Sequence, residues 1–418
     1  MMQLATFQTD ATPPVGSPLA AAWYGIAAGI TDPLSALGVV LTGDGPPVVL
    51  CALDWCELSN RSHARWRETL AVAAGTTPDR VAVHCTHAHC TPWPDEEADA
   101  IVSPEHIMDV AWQTAVLDRV AAAVKAAGPT PITHIGLGRA QVEKVASNRR
   151  ILGADGKIKA VRWTKTRDAA VRAEPEGLID PWLKTISFWN ASRKLAALHY
   201  YAVHPTSYDT DQMVTNEFTG LARDRIARED GVPHIYFTEC AGNITAGKYN
   251  DGAKENRPVL TERMYRAMVE SEKQIERFTP RRFEWRTKPV HLPAREDFVE
   301  ATLLTQARDR TRTLRERSRA ALMTAYLRRA HVPILFTSLQ FDDRVHIVHL
   351  PGESFMEYQK FAQAQRSDAF VVVPSYGDCG PGYICMEKSF TEGGYEPTDS
   401  FCSPKSEAIM KETIAELL

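Results

Sequence analysis

The chain has 418 residues, 44% hydrophobic and 24% charged, the make-up of an ordinary globular protein with enough length to bury a large core. Lys and Arg number 48 against 52 Asp and Glu, a net charge of −4, so composition gives no general pull toward nucleic acid or an anionic membrane. No run of about 18 apolar residues reads as a membrane span, and the first residues lack the basic-then-apolar pattern of a secretory signal. The expected location is the cytoplasm, with no stable membrane association.

In chain order, strands and helices alternate. Ala36 to Thr42 and Val48 to Leu53 read as a β-hairpin around the turn Gly43-Asp44-Gly45-Pro46-Pro47. A helix is expected over Asn60 to Ala74, capped by Asn60 or Ser62 and stopped by Gly75. The β-branched run Val81 to His84 then empties into a loop closed by Pro92 and Pro94. In extended backbone, residues two apart face the same way, so His87 and His89 share one face and His84 takes the other. Two imidazoles presented together suit metal ligation, or one ligand beside one acid/base group. Polar loop histidines without a role are the bland alternative.

A long helix is expected over Pro104 to Ala127, a strand over Ile132 to Val142 and a polar loop over Ser147 to Gly156. Strands Thr185 to Trp189 and Leu195 to Val203 flank a turn, and the second delivers His204 to its end. Helix Phe218 to Glu229 and strand His234 to Thr238 follow, and the strand runs into the small-residue loop Glu239 to Gly247. Thr261 to Glu276 and Arg295 to Ala330 read as helices. In the latter, Arg308, Arg310, Arg312, Arg315, Arg317 and Arg319 are interleaved with Asp309 and Glu316, which favours a solvated helix face over a nucleic-acid surface. Ile334 to Leu339 and Val345 to Leu350 form a second hairpin leading to Pro351-Gly352-Glu353. Strand Phe370 to Val373, a Gly/Tyr-rich loop from Ser375 to Tyr383 and helix Pro404 to Leu417 complete the chain. The eight cysteines are too sparse for a disulfide framework and read as buried free thiols, with Cys85, Cys90 and Cys240 next to candidate site residues.

There is no H-E-x-x-H, G-x-S-x-G, P-loop or G-x-G-x-x-G pattern. What stands out is a set of strand ends, each carrying a polar residue: His87 and His89, His204, the Asn243–Thr245 loop, Glu353 and Tyr383. Loops at one edge of an α/β sheet are where functional residues gather, and two imidazoles plus a carboxylate make a catalytic zinc set with one position left open. A carboxylate at a helix N-terminus is the structural alternative for Glu353, and a packed surface tyrosine that for Tyr383. The expected fold class is α/β, mixed β-sheets flanked by helices in a single large catalytic domain, because both hairpins and helical crossovers join the strands.

The succession Cys85-Thr86-His87-Ala88-His89, Ala202 to Ser207, Ala241 to Thr245, Leu350 to Glu353 and Gly380 to Tyr383 resembles, in the same order, segments of the neutral/alkaline ceramidase family. The resemblance implies a zinc-dependent amidase acting on a small-molecule N-acyl substrate through a metal-activated water. It implies His87, His204, Glu353 and Tyr383 as metal ligands, His89 beside the substrate carbonyl, and Arg149 as a substrate-contacting arginine. Asn243 and Thr245 stand where the family has an aspartate and a serine; threonine keeps a hydroxyl, whereas asparagine cannot accept a proton as a carboxylate does. The chain also stops soon after the tyrosine segment, so the family's C-terminal immunoglobulin-like domain is expected to be absent, and a soluble or short-chain substrate is expected rather than membrane ceramide. An esterase or lactonase would use identical residues, and a non-catalytic metal- or ligand-binding relative is the third alternative.

Overall fold

In the computed structural model, which describes residues 1–43, 45–209 and 211–418, three larger sheets carry the chain, beside four two-stranded pairings. Asp44, at the tip of the expected first turn, lies outside the described residues. The first sheet runs in the order Val81–Cys85, Gly45–Leu53, Ser35–Gly43, Gln3–Asp10 and Thr130–Pro131. His234–Thr238, Arg193–Tyr201, Trp182–Asn190, His134–Gln141 and Glu276–Phe278 build the second, and Phe283–Val290, Ile334–Phe341, Val345–His349 and Phe370–Val372 the third. The sheets are mixed: hairpins pair antiparallel, while Val81–Cys85, His234–Thr238 and Phe370–Val372 each join a neighbour in parallel. This is the α/β arrangement that the alternation of elements predicts.

Alternation along each strand decides which side chains meet. Leu37, Val39 and Leu41 of the first sheet, Ile186, Phe188 and Leu198 of the second, and Leu339, Phe341 and Ile347 of the third share one core between the sheets. The opposite faces bury Cys51 and Val83 with Trp66, Leu70 and Val116 of two helices, or Phe336 and Val348 with Tyr326, Tyr358 and Ile414. Helices thus coat the outside. No helix among the described residues is long and apolar enough to cross a membrane, and all eight cysteines are buried and free.

Several expected boundaries move, each for a local reason. The first helix spans Asn60–Ala74 and stops at left-handed Gly75, but its N-cap is Ser59, not Asn60 or Ser62. The expected helix over Pro104 to Ala127 begins only at Val110, where the Asp109 carboxylate accepts from Trp112 N–H at 2.9 Å. The arginine-rich helix is two helices, Glu300–Arg308 and Leu314–Arg329. Asp309 turns the chain by accepting from the Thr311 amide and hydroxyl, and Thr313 with Glu316 forms a capping box that restarts the helix. The polar loop after Ser147 contains a short hairpin, Arg150–Leu152 with Ile158–Val161.

At one edge the strand ends of the three sheets are sewn together by main-chain hydrogen bonds. Cys85 N–H donates to Tyr376 O at 2.9 Å, Ser375 N–H to Thr238 O at 3.0 Å, and Thr86 N–H to Leu53 O at 2.8 Å. The Thr238 hydroxyl donates to Thr86 O at 2.7 Å. The candidate site sits on this seam.

Candidate active site

His87 and His89 lie beyond the strand, not on it. The strand ends at Cys85, and His87 takes a left-handed conformation with φ +69°. An alternating extended segment therefore does not explain their shared direction; a turn does. Left-handed backbone is costly for a residue with a Cβ and persists where surrounding contacts hold it. Here His87 N–H donates to Trp55 O at 2.9 Å, and its ring stacks at 4.4 Å on Tyr376, itself left-handed at φ +62°. His84 does face away, donating from Nδ1 to Ser375 O at 2.6 Å and accepting from His349 Nδ1 at 2.9 Å.

His204 follows the strand Arg193–Tyr201, and Glu353 opens a two-residue parallel pairing with Tyr383. The chain approaches so closely here that a Cβ on Gly242 would lie 2.2 Å from Glu353 O. Glycine at 242 is thus required for the carboxylate's placement.

These elements bring His87 and His204 together on the Glu353 carboxylate. His87 Nε2 lies 3.2 Å and His204 Nε2 3.0 Å from the same oxygen, Oε2, and all three residues are buried. His87 Nδ1 donates to Cys56 O at 3.0 Å and His204 Nδ1 to Ala241 O at 2.8 Å. Each Nδ1 therefore holds the ring proton, and each Nε2 turns a bare lone pair toward a carboxylate oxygen. His204 Nε2 and Glu353 Oε2 consequently have no hydrogen-bond partner among the described residues although buried. Three acceptors facing one another repel unless a cation stands among them, so the residues present fit a divalent metal ion of the zinc type.

His89 joins this group: ligand nitrogens of His87, His89 and His204 lie within 4.8 Å of one another. Its ring stacks on Tyr24 at 5.0 Å and its Nδ1 has no partner among the described residues. Burial, then the charges of Arg149 and His87, push His204 down to about 3, and burial also holds His89 well below the ordinary histidine range. Both rings stay neutral near pH 7, the form that ligates metals. Burial opposes ionisation of the Glu353 carboxyl, and with imidazole lone pairs facing Oε2 it is a cation at this point that would favour the carboxylate form.

A cavity of about 840 Å3 opens onto the cluster, walled by Trp23, Trp93, Trp163 and Tyr395. Arg149 and Tyr383 line it too; the Tyr383 hydroxyl lies 3.5 Å from Arg149 Nη1 and 3.2 Å from the Tyr395 hydroxyl. Burial, reinforced by Glu353, raises the Tyr383 hydroxyl well above its ordinary value, so it remains a donor.

Two expected site residues fall outside this arrangement. Asn243 accepts from Met356 N–H at 2.9 Å and donates to Glu357 at 2.9 Å, so its side chain caps the helix Met356–Gln365 and does not line the cavity. An asparagine suits that task because one amide supplies both acceptor and donor. The Thr245 hydroxyl is buried and reaches the cavity wall only by bonding to Thr164 at 3.1 Å.

Reading the sequence misses Glu57, whose Oε1 lies 3.7 Å from His87 Nδ1 and whose Oε2 has no partner among the described residues. Its signal was its place just beyond the strand end at Leu53.

No protein-family model matches the chain, and a search of curated proteins finds no match. Among solved structures, neutral ceramidase from Pseudomonas aeruginosa is similar, with a TM-score of 0.72, 14% identity, and coverage of 100% of this chain and 74% of that one. A ceramidase complexed with C2 is similar at a TM-score of 0.73, with the same identity and coverage. The architecture of this chain is therefore the neutral ceramidase-like fold.

Proposed function

We propose that the chain is a zinc-dependent amidohydrolase that cleaves an N-acyl bond in a soluble or short-chain compound. The observation that carries this reading is the meeting of two Nε2 lone pairs on one carboxylate oxygen beneath an aromatic-walled cavity. His87, His204 and Glu353 would hold a divalent cation, which would supply Lewis acidity and a water acidic enough to ionise near neutral pH. The balance is simple: water adds its oxygen to the acyl carbon, the C–N bond breaks, and a proton goes to the departing amine.

The chain's own groups have the following work. Neutral His89 has one ring N–H to offer the carbonyl oxygen as negative charge grows on it. The protonated Tyr383 hydroxyl, beside Arg149, orients the other side of the amide. Burial of the cluster excludes bulk water, which strengthens each of these contacts. Asn243 and Thr245 act behind the site, holding the helix Met356–Gln365 that follows Glu353 and the Thr164 wall.

A panel of chromogenic short-chain N-acyl amides and matched esters, assayed with and without chelator, tests the reading. Chelator-sensitive amide turnover with one zinc per chain is expected. Turnover of esters alone would replace it with a metallo-esterase, and bound metal with no turnover across the panel would replace it with a binding protein.

A further inference from the structure

The cavity's charges do not balance once its ion is counted. Of its acids, Asp209 is paired with Lys165, and Asp399 takes Arg319 at 2.5 Å. Glu57 and Glu353, even if both ionised, are offset by a divalent ion. Arg149 and Arg315 are left over.

Arg149 is the telling one. Its side chain is only 4% exposed, and it forms no ion pair among the described residues. Nη1 is 3.5 Å from the Tyr383 hydroxyl, while Nε and Nη2 have no partner among the described residues. A guanidinium cannot shed its proton at any ordinary pH, and a buried charge without a counter-charge is strongly unfavourable. Nε and Nη2 form the side-on edge of the fork that grips a carboxylate with two parallel hydrogen bonds. That edge is the one left free. Tyr395 backs the plane, 5.5 Å from its ring centre, so the fork is held in orientation. Arg315, exposed and lying 5.4 Å over the Trp23 ring at the mouth, extends the positive field outward. The aromatic walls meanwhile suit an apolar acyl group.

We propose that the substrate is an N-acyl amino acid, an amide whose departing amine carries a carboxylate seated on the free Nε/Nη2 edge of Arg149 and attracted by Arg315. This rests on the amidase reading and narrows it.

The test uses zinc-loaded protein and two uncleavable sulfonamides, N-octylsulfonylglycine and its uncharged glycinamide, titrated by calorimetry and by fluorescence of the cavity tryptophans. Cleavable N-octanoylglycine and N-octanoylglycinamide are assayed in parallel. The wild type is expected to favour the carboxylate by about 30-fold in Kd, the effect of one charge-assisted pair. In Arg149→Gln the preference is expected to vanish with zinc content unchanged, and in Arg315→Gln to fall about threefold, as for a solvent-screened charge. Arg149→Gln should also melt no lower than wild type, since it removes an uncompensated charge; a marked drop would mean that Arg149 is a structural arginine and would overturn the proposal. No carboxylate preference in wild type that cleaves neutral amides would sink this inference while leaving the amidase standing. A preference that survives Arg149→Gln would assign the carboxylate to the ion, and the proposal fails. Carboxylate-selective binding in a protein that cleaves no amide would retain the anion site and remove the amidase reading.

Discussion

Two clusters of buried histidines in this molecule can be set side by side. In the second sheet, the Thr185 hydroxyl donates to His199 Nδ1 at 2.8 Å, His199 Nε2 to His234 Nδ1 at 2.7 Å, and His234 Nε2 to Asp230 at 2.8 Å. Glu272 is near enough to complete a three-ligand group, but the Lys194 ammonium already stands 2.7 Å from it and bonds Asp230. Every ring nitrogen there has a partner, and the cation is the protein's own. At the seam of the sheets, His87 and His204 instead aim unprotonated nitrogens at Glu353. Proximity of ligand-type atoms is common to both; unspent lone pairs distinguish them.

The sharpest way to break that contrast is His204→Ala against His199→Ala. The first should lose its zinc and lower amide turnover by about a thousandfold or more; the second should keep both. Metal analysis and the chromogenic assay read the difference, and equal zinc contents in the two variants would erase the distinction. Next in size, His89→Ala should raise the barrier by about 3 kcal/mol while retaining zinc. Zinc loss there would make His89 a ligand. In the other cluster, His199→Ala should cost about 3 kcal/mol of stability in urea unfolding, through the space left and the stranded His234 and Thr185 groups.

The smallest effect is a pH dependence. Burial pushes His234 down to about 4 in the folded chain. Between pH 6.5 and about 4 the unfolded chain takes up a proton that the folded one refuses, so stability falls as pH falls. From pH 7 to 5.5 this group should contribute a loss of about 1 kcal/mol. His234→Gln should flatten that part of the unfolding profile, and an unchanged slope would contradict the assignment.

Much of the candidate site was legible because its residues sit in short, turn-bounded segments at strand ends, and the structure brings His87, His89, His204 and Glu353 close together. Tyr383 reaches the cavity, but its hydroxyl is turned to Arg149 and Tyr395. Asn243 misleads because type and loop suggest chemistry, whereas the partner that uses its amide, the Met356 N–H, is 113 residues away in sequence. Glu57 and Arg315 escape for the same reason: a carboxylate and an arginine are ordinary until tertiary structure shows one buried and the other at a cavity mouth. Among elements, the break in the arginine-rich helix escaped the sequence reading, although the Thr313–Glu316 capping box that marks it is a local pattern. The strand Phe283–Val290 was not, since Pro289 and three charged residues interrupt its apolar pattern.

The seam has a consequence for how the protein can be divided. One of its links, from His84 Nδ1 to Ser375 O, spans 291 residues, and the two imidazoles and the carboxylate belong to three different sheets' strand ends. No excised lobe would keep the three candidate ion ligands together. Ion capture should therefore come late in folding, after all three sheets have docked, and ion affinity should serve as a gauge of whether the whole chain has closed.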